Sequence, residues 1–438
     1  HVIKSTGFGF SSSSQSGLVV DLVTKPLCEV VESIYIGLHT DSNSSINPTI
    51  SEPKVDIPSS SYNHNVLYVV ERSHRQRNVV QFEDNSNITL SLDWKVKLGK
   101  CIDATPLIYG INVQGNIQEH VVIGSHNKSV VCINVDTGSK LWETSVDDRI
   151  ESSAILTNNS SFIAVGCYDG HCYFFCPRTG GIKWRFQTNH QIKSSPLPLL
   201  SKGSNDFVFV ASHDGFVYVL DPNNQCLICS LSIGSSPIFS SPIQDIETGV
   251  LYVGNEGGKF SALTYSIDNS ELLERWCVHL KKPIFSSPTC DPKTHCIYVA
   301  TVEPSVVCLS SKGETLWKNN DMNAPIFSSI SHFISRDKIP LIAFGCHDKT
   351  VYILNRATGI ISSTYKHGNT AFFSSPCIFK LSHNDTALAV VNIKGYLSVV
   401  GTREWNDICK IKLDGDVFSS PIVSPKRKLL VGCRDDYL

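Results

Sequence analysis

From Val66 onward the apolar residues fall into short β-type runs broken by turn residues. Three runs lead: Val66–Val70, Val79–Phe82 and Leu92–Leu98. After them one series reads Val121–Gly124, Ile163–Gly166, Phe207–Ala211, Leu251–Gly254, Ile297–Ala300, Leu341–Gly345 and Leu388–Val391. A second series follows each member of the first, as in Val130–Val135, Cys172–Phe175, Phe216–Leu220, Val306–Leu309, Val351–Leu354 and Tyr396–Val400. Asp169-Gly170, Asp214-Gly215 and Gly257-Gly258 join the two series, and such pairs take the positive φ that two-residue hairpin turns need to match strand twist. Asp136-Thr137-Gly138 and Ala357-Thr358-Gly359 make the next reversal, with glycine suited to the left-handed position. The pattern predicts antiparallel strands throughout.

The strands run on a clock. Pro-Ile-Phe-Ser-Ser-Pro stands at Pro237–Pro242 and again at Pro283–Pro288, and with a final isoleucine at Pro325–Ile330. Looser copies are Cys101–Pro106, Arg149–Ala154, Gln191–Pro196, Ala371–Pro376 and Asp416–Pro421. Their last residues lie 48, 42, 46, 46, 42, 46 and 45 positions apart, a period that marks a repeat architecture. Each copy leads into a first strand, the two series supply the second and third, and a fourth run closes the unit. Four antiparallel strands in about 45 residues make one propeller blade. Tryptophan keeps the same clock: Trp94, Trp142, Trp184, Trp276 and Trp317 sit ten or eleven residues before the next serine pair or its substitute. One indole per blade packed on its neighbour would bury about 150–250 Å². The corresponding places near Cys229, Ser363 and Cys409 lack it, and Trp405 is four residues out of register.

Eight lead-in segments predict an eight-bladed, all-β propeller of four-stranded blades over 66–438. The eighth copy, at Pro421, has only Leu429–Gly432 after it before Leu438, so its outer strand is expected from Leu92–Leu98 at the other end. A ring clasped by both termini leaves only short protected edges. Val66–Phe82 is then surplus, unless it replaces the third strand of that last blade. Residues 1–65 carry serine runs at Ser11–Ser14 and Ser59–Ser61 and prolines at 48, 53 and 58, the composition of a flexible linker. Only Leu18–Leu38 is apolar enough there for a strand or short helix.

Charge and cysteine usage narrow the function classes. A net charge of −2 with pI near 6.8 gives no reason to expect a nucleic-acid partner. No apolar run approaches the roughly 18 residues of a membrane span. The chain opens on His1 without a signal-peptide pattern and is read as part of something longer. Its 16 cysteines are scattered through apolar strand positions, as in Val131-Cys132-Ile133, and are expected to be reduced core residues in a cytoplasmic protein.

The turn Asp-Thr-Gly-Ser-Lys-Leu-Trp (136–142) and its counterpart Arg-Thr-Gly-Gly-Ile-Lys-Trp (178–184) resemble the pyrroloquinoline-quinone-type (PQQ-like) repeat. No Trp-Asp dipeptide of the WD kind closes a blade. Gly99–Leu107, Asp148–Ala154, Val165–Gly170, the Phe-Ser-Ser-Pro series and Val431–Tyr437 are similar to the C-terminal propeller of the beta-alanine-activating enzyme family. That family is also described as acyl-CoA synthetase family member 4, homologous to aminoadipate-semialdehyde dehydrogenase. The resemblance covers about 92–438. It implies a parent ligase that activates an amino acid with ATP and passes it to a phosphopantetheine-bearing carrier domain. Neither an adenylating loop ending in Pro-Lys nor a Gly-Asp-Ser carrier motif is present, so this part is expected to be non-catalytic and to hold no cofactor. Its expected role is a platform binding a partner protein, carrier domain or acyl acceptor.

Two other functions compete with that one, a quinone-dependent oxidoreductase and a general protein-interaction scaffold. Quinone enzymes of this fold use calcium held by oxygen ligands and often a vicinal cysteine pair, and a hard cation wants six or more oxygens. The lead-in segments offer Ser, Pro and Phe instead, and no Cys-Cys pair occurs. Cys226-x-x-Cys229 is half a zinc motif without its other half. His126, His213 and His347 share one turn position and give no triad. No catalytic, cofactor or metal residue is therefore expected. Alternation along the first strand offers a ring of hydroxyls at the channel mouth for a ligand or partner, from Ser152, Ser194, Ser240, Ser286, Ser328, Ser374 and Ser419, with satisfaction of buried backbone groups near the axis as the alternative use of the same hydroxyls.

Overall fold

A computed structural model of the chain describes residues 18–23, 66–70, 89–200, 206–381 and 385–434. Every regular element among them is a β-strand, every strand pair is antiparallel, and the molecule is an all-β propeller. The strands form eight sheets, seven of four strands and one of five. The five-stranded one, sheet I, contains Leu107–Val113, Asn116–Ser125, Ser129–Asn134 and Lys140–Ser145, with Val66–Val70 added along the free edge of Leu107–Val113. Sheets II to VII run over 155–187, 197–232, 243–279, 289–319, 331–365 and 377–412. Sheet VIII joins the termini in the order Thr89–Lys95, Leu18–Val23, Lys428–Val431, Ile422–Val423.

Two expectations change here. The blades are not eight alike, because four strands hold for seven sheets only. The outer strand of sheet VIII does come from the N-terminal side, at Thr89–Lys95, but its third strand is Leu18–Val23. That segment lies in the stretch whose serine and proline content reads as linker. The surplus run splits: Val66–Val70 becomes the fifth strand of sheet I, and Val79–Phe82 lies outside the described residues.

Within a sheet, burial falls from the axis outward. In sheet II, Ile163–Gly166 is wholly buried, whereas Ile182–Gln187 alternates exposed and half-buried, as the last strand before solvent should. The core is divided into eight apolar clusters, each shared by two neighbouring sheets. The lead-in segments weld the sheets near the axis. Ile102, Ile150, Ile192, Ile238, Ile284, Ile326, Phe372 and Val417 are each at most 1% exposed. Several of them fill the space over a glycine of the preceding sheet. A Cβ on Gly124 would come 2.3 Å from Ile150, one on Gly166 2.3 Å from Ile192, and one on Gly254 2.6 Å from Ile284. Glycine at the end of the second strand is the condition for this close approach.

The second serine of each pair makes the circle continuous. The backbone N–H groups of Thr105, Ser153, Ser195, Ser241, Ser287, Ser329 and Ser375 each donate to the hydroxyl of the equivalent serine in the next sheet, at 2.9–3.3 Å. From sheet VIII the Ser419 hydroxyl donates to the Ala104 carbonyl of sheet I at 2.7 Å. Replacing Ser241 by alanine should therefore cost about 1–3 kcal/mol in denaturant melts, because the buried N–H of Ser195 loses its acceptor. An unchanged midpoint would show that the link carries no stability.

Candidate functional site: the mouth of the ring

With the lead-in isoleucine and both serines buried, alternation leaves one residue of each segment turned toward the axis, the one before the pair. In chain order these are Asp103, Glu151, Lys193, Phe239, Phe285, Phe327, Phe373 and Phe418, and all eight are half-buried. Beside them stand the residues that follow the second strand, which include His126, Tyr168, His213, His347 and Arg434. Their N–H groups are fixed on lead-in carbonyls of their own sheets, as in His126 on Cys101, His213 on Gln191 and Arg434 on Asp416.

These side chains touch one another right round the ring. Phe239, Phe285, Phe327, Phe373 and Phe418 form an arc with successive centroids 4.9, 5.8, 5.4 and 5.0 Å apart. Both ends of the arc carry a cation on the ring face, Lys193 at 4.9 Å over Phe239 and the Arg434 guanidinium at 3.8 Å over Phe418. From Arg434 the circle continues through its fork on Asp103, Nε to Oδ1 at 2.6 Å. His126 Nε2 then lies 3.4 Å from both Asp103 and Glu151. Arg149 reaches Glu151 at 3.8 Å and stacks 4.0 Å over Tyr168, and Lys193, 5.0 Å over the same ring, returns to Phe239. One half of the mouth is aromatic and the other ionic.

The electrostatics keep the two halves distinct. Burial alone would raise the Glu151 carboxyl, but hydrogen bonds from His126 and Tyr168 and the nearby positive charges bring it below its usual range. The bonds to Asp103 hold the Arg434 guanidinium above its ordinary value. Burial pushes His213 down to about 4 and lowers His347 as well. The imidazoles beside Phe239 and Phe327 are thus neutral at pH 7, and the aromatic arc stays apolar.

Asp103, His126 and Glu151 bring their ligand atoms within 4.8 Å of one another. The Arg434 fork already neutralises Asp103, which makes this an ion-pair network rather than a cation cage. Asp147, Asp169 and His171 gather similarly on the outer side. There the Tyr173 hydroxyl donates to Asp169 at 2.6 Å and Arg185 to Asp147 at 2.8 Å.

Residues 98–438 match the family described as "Beta-alanine-activating enzyme, beta-propeller". The chain belongs to that family. Among curated relatives, the beta-alanine-activating enzyme of Drosophila melanogaster is 27% identical over 80% of this chain and 34% of its own length. That of Danio rerio is 28% identical over 81% and 32%. The human one is 39% identical over a shorter stretch, 19% of this chain and 8% of the enzyme. The chain thus spans about a third of the length of the relatives it matches most widely. Among solved structures, BamB from Moraxella catarrhalis superposes with a TM-score of 0.51 at 16% identity, covering 84% of this chain and 99% of that one. That likeness is one of fold.

In this family member the serines expected to line the mouth are placed differently. Ser152, Ser194, Ser240, Ser286, Ser328, Ser374 and Ser419 are 0–3% exposed. Ser152, Ser194, Ser286 and Ser374 donate to second-strand carbonyls of their own sheets, Gly166, Ala211, Ala300 and Val391, at 2.6–2.9 Å. Ser328 accepts the Gly345 N–H at 3.0 Å and Ser419 turns to Ala104. Ser240 Oγ is buried without a hydrogen-bond partner. The hydroxyl ring is corrected to a side-chain ring one residue earlier, because a serine that saturates a buried carbonyl cannot also face the axis.

The tryptophans meet the next sheet at a turn. Trp94, Trp142, Trp276 and Trp317 donate their indole N–H to the carbonyls of Val135, Pro177, Ser311 and Arg356, at 2.9–3.1 Å. Each indole covers a turn glycine, Gly138, Gly180, Gly313 or Gly359, where a Cβ would come within 2.4–2.9 Å of the ring. Trp184, whose next turn has no glycine, stacks on Phe174 at 5.0 Å. Trp405 sits in the turn of sheet VII and meets Phe333 of sheet VI edge-on at 6.3 Å. It serves the seam that Ser363 leaves without an indole, from the opposite side.

Proposed function

We propose that this chain is the non-catalytic binding platform of a beta-alanine-activating enzyme, and that its partner docks on the aromatic half of the mouth. The observation that carries this reading is the arc of five half-buried phenylalanines on one circle. Aromatic anchors at the centre of a patch, bordered by charges, are what a protein interface is built from. The partner in this reading is the carrier domain or the acyl acceptor of the same enzyme, whose ATP- and phosphopantetheine-dependent steps belong to other parts of it. Sheet I is counted as the eighth blade of a PQQ-like ring. Buried thiols such as Cys132, Cys172 and Cys346 fit a cytoplasmic setting. No helix among the described residues is long and apolar enough to cross a membrane.

The test is binding of the purified carrier domain to the chain and to Phe285→Asp and Phe327→Asp variants. Each substitution should weaken binding at least tenfold, about 1.4 kcal/mol, while the melting midpoint stays close to that of the parent. Unaltered affinity in both variants would move the interface off the mouth. Adenylate formation from ATP, or alcohol oxidation with added quinone and calcium, by this chain alone would overturn the non-catalytic part.

A further inference from the structure

The fifth strand of sheet I sits where no other sheet has one. In sheets II to VIII the innermost strand has no further partner on its axial edge among the described residues. In sheet I that edge is taken by Val66–Val70, antiparallel, with Tyr68 opposite Gly110, Val69 opposite Tyr109 and Val70 opposite Ile108. The strand belongs to no repeat, so the blade is complete without it.

The seat is shaped for a tyrosine. Gly110 is buried, and a Cβ there would lie 2.4 Å from the Tyr68 ring, so glycine is what leaves the ring its place. The Tyr68 hydroxyl donates to Glu119 Oε1 at 2.5 Å. Glu119 is 0% exposed, and the same oxygen accepts the Lys426 N–H of sheet VIII at 3.1 Å. Its Oε2 has no hydrogen-bond partner. Such a buried carboxyl group needs its donors, and with Tyr68 withdrawn it would lose one of them, keep the Lys426 N–H and the Ser424 hydroxyl, and face an open notch over Gly110. On either side, Val66 and Val69 pack on the cluster shared with sheet II, and Val70 on the one shared with sheet VIII.

We propose that the free edge of Leu107–Val113 is a strand-docking site for an extended partner segment with a tyrosine among β-branched residues, and that Val66–Val70 is its resident occupant. Backbone pairing to Ile108–Ile111 would supply affinity, and the Gly110–Glu119 notch would read the tyrosine, as in other modes of strand addition to a sheet edge. The partner class is a polypeptide in β conformation. This surface is separate from the aromatic mouth and stands or falls independently of it.

The probe is a fluorescein-labelled peptide with the sequence of residues 64–72, followed by anisotropy on the full chain. Tyr68→Ala, which loosens the resident strand, should bind it at least tenfold more tightly than the parent. The same peptide with phenylalanine for tyrosine should bind at least threefold more weakly, and adding Gly110→Val to Tyr68→Ala should abolish binding. Equal affinity for parent and Tyr68→Ala, or binding that survives Gly110→Val, would overturn the proposal. If Tyr68→Ala fails to fold, hydrogen exchange of the parent decides. Amides of Val66–Val70 should exchange well ahead of those of Val208–Ala211, and exchange only with global unfolding would refute a displaceable strand.

Discussion

Removing residues 1–60 should destroy cooperative unfolding of the ring. The truncation takes away Leu18–Val23, which lies between Thr89–Lys95 and Lys428–Val431 and pairs with both. Thr89–Lys95 has no other partner in its sheet, so one deletion dissolves two of the four strands of sheet VIII. What then still holds Thr89–Lys95 is side-chain chemistry: the Trp94 indole on Val135 and Gly138, and the ion pairs Lys428–Asp93 and Lys95–Asp414, which as partly exposed pairs contribute little. At roughly 1 kcal/mol net per backbone hydrogen bond, losing both ladders costs on the order of 5–10 kcal/mol. That rivals the whole stability of a typical domain. Val20→Pro in the full chain should reproduce part of the loss, about 1–3 kcal/mol, by removing a ladder donor mid-strand. Urea melts of the three proteins check this, and a truncated chain with the parental midpoint would show that Leu18–Val23 is dispensable.

The composition of residues 1–65 predicts the opposite result for that truncation, and the reason is physical. The apolar run from Leu18 marks a possible strand but not its place, because its partners at Leu429 and Leu430 are remote in sequence and its neighbours are serine-rich. The blades were legible because their pairings are local: each hairpin is set by its own turn, as at Asp169-Gly170 and Asp214-Gly215. The mouth was legible one residue out of place. The serine pairs repeat most faithfully because, Ser240 apart, their hydroxyls answer backbone groups that every sheet has. The preceding position runs Asp, Glu, Lys and then five Phe, and that freedom to vary is what a residue facing the axis has. Where a repeat is strictest it reports the scaffold, and the column that departs from it is the better guide to a surface. Val66–Val70 stayed unassigned for a related reason: no other copy has an equivalent strand with which to compare it.

Truncating Trp142 to alanine should cost roughly 3–5 kcal/mol, the range for large buried aromatics. The indole is 9% exposed, its N–H is satisfied by Pro177 and it lies on Gly180 of the next sheet. Alanine would leave a cavity between sheets I and II and would remove one of the two donors on the Pro177 carbonyl, the other being the Tyr109 hydroxyl. Trp405→Ala should cost less, about 1–2 kcal/mol, since Trp405 is half-buried and holds its place with φ of 54°, which a bulky residue adopts at some strain. The glycine side of the contact gives a sharper test. Gly180 has φ of 70°, and a Cβ there would come 2.4 Å from the Trp142 ring, so Gly180→Ala carries both backbone strain and a clash. In the Trp142→Ala background the ring clash is gone, leaving the strain, on the order of 1 kcal/mol, and the approach to Thr144 Oγ1 at 2.8 Å. The two substitutions should therefore be strongly non-additive, with a coupling of at least 1 kcal/mol in a double-mutant cycle read by urea denaturation. Additive losses, or equal losses at Trp142 and Trp405, would mean that the indole does not dock one sheet on the next. A large coupling would show that the Gly-x-x-x-Trp spacing is kept for both ends of the same contact, the glycine receiving one indole while the tryptophan after it is passed on to the following sheet.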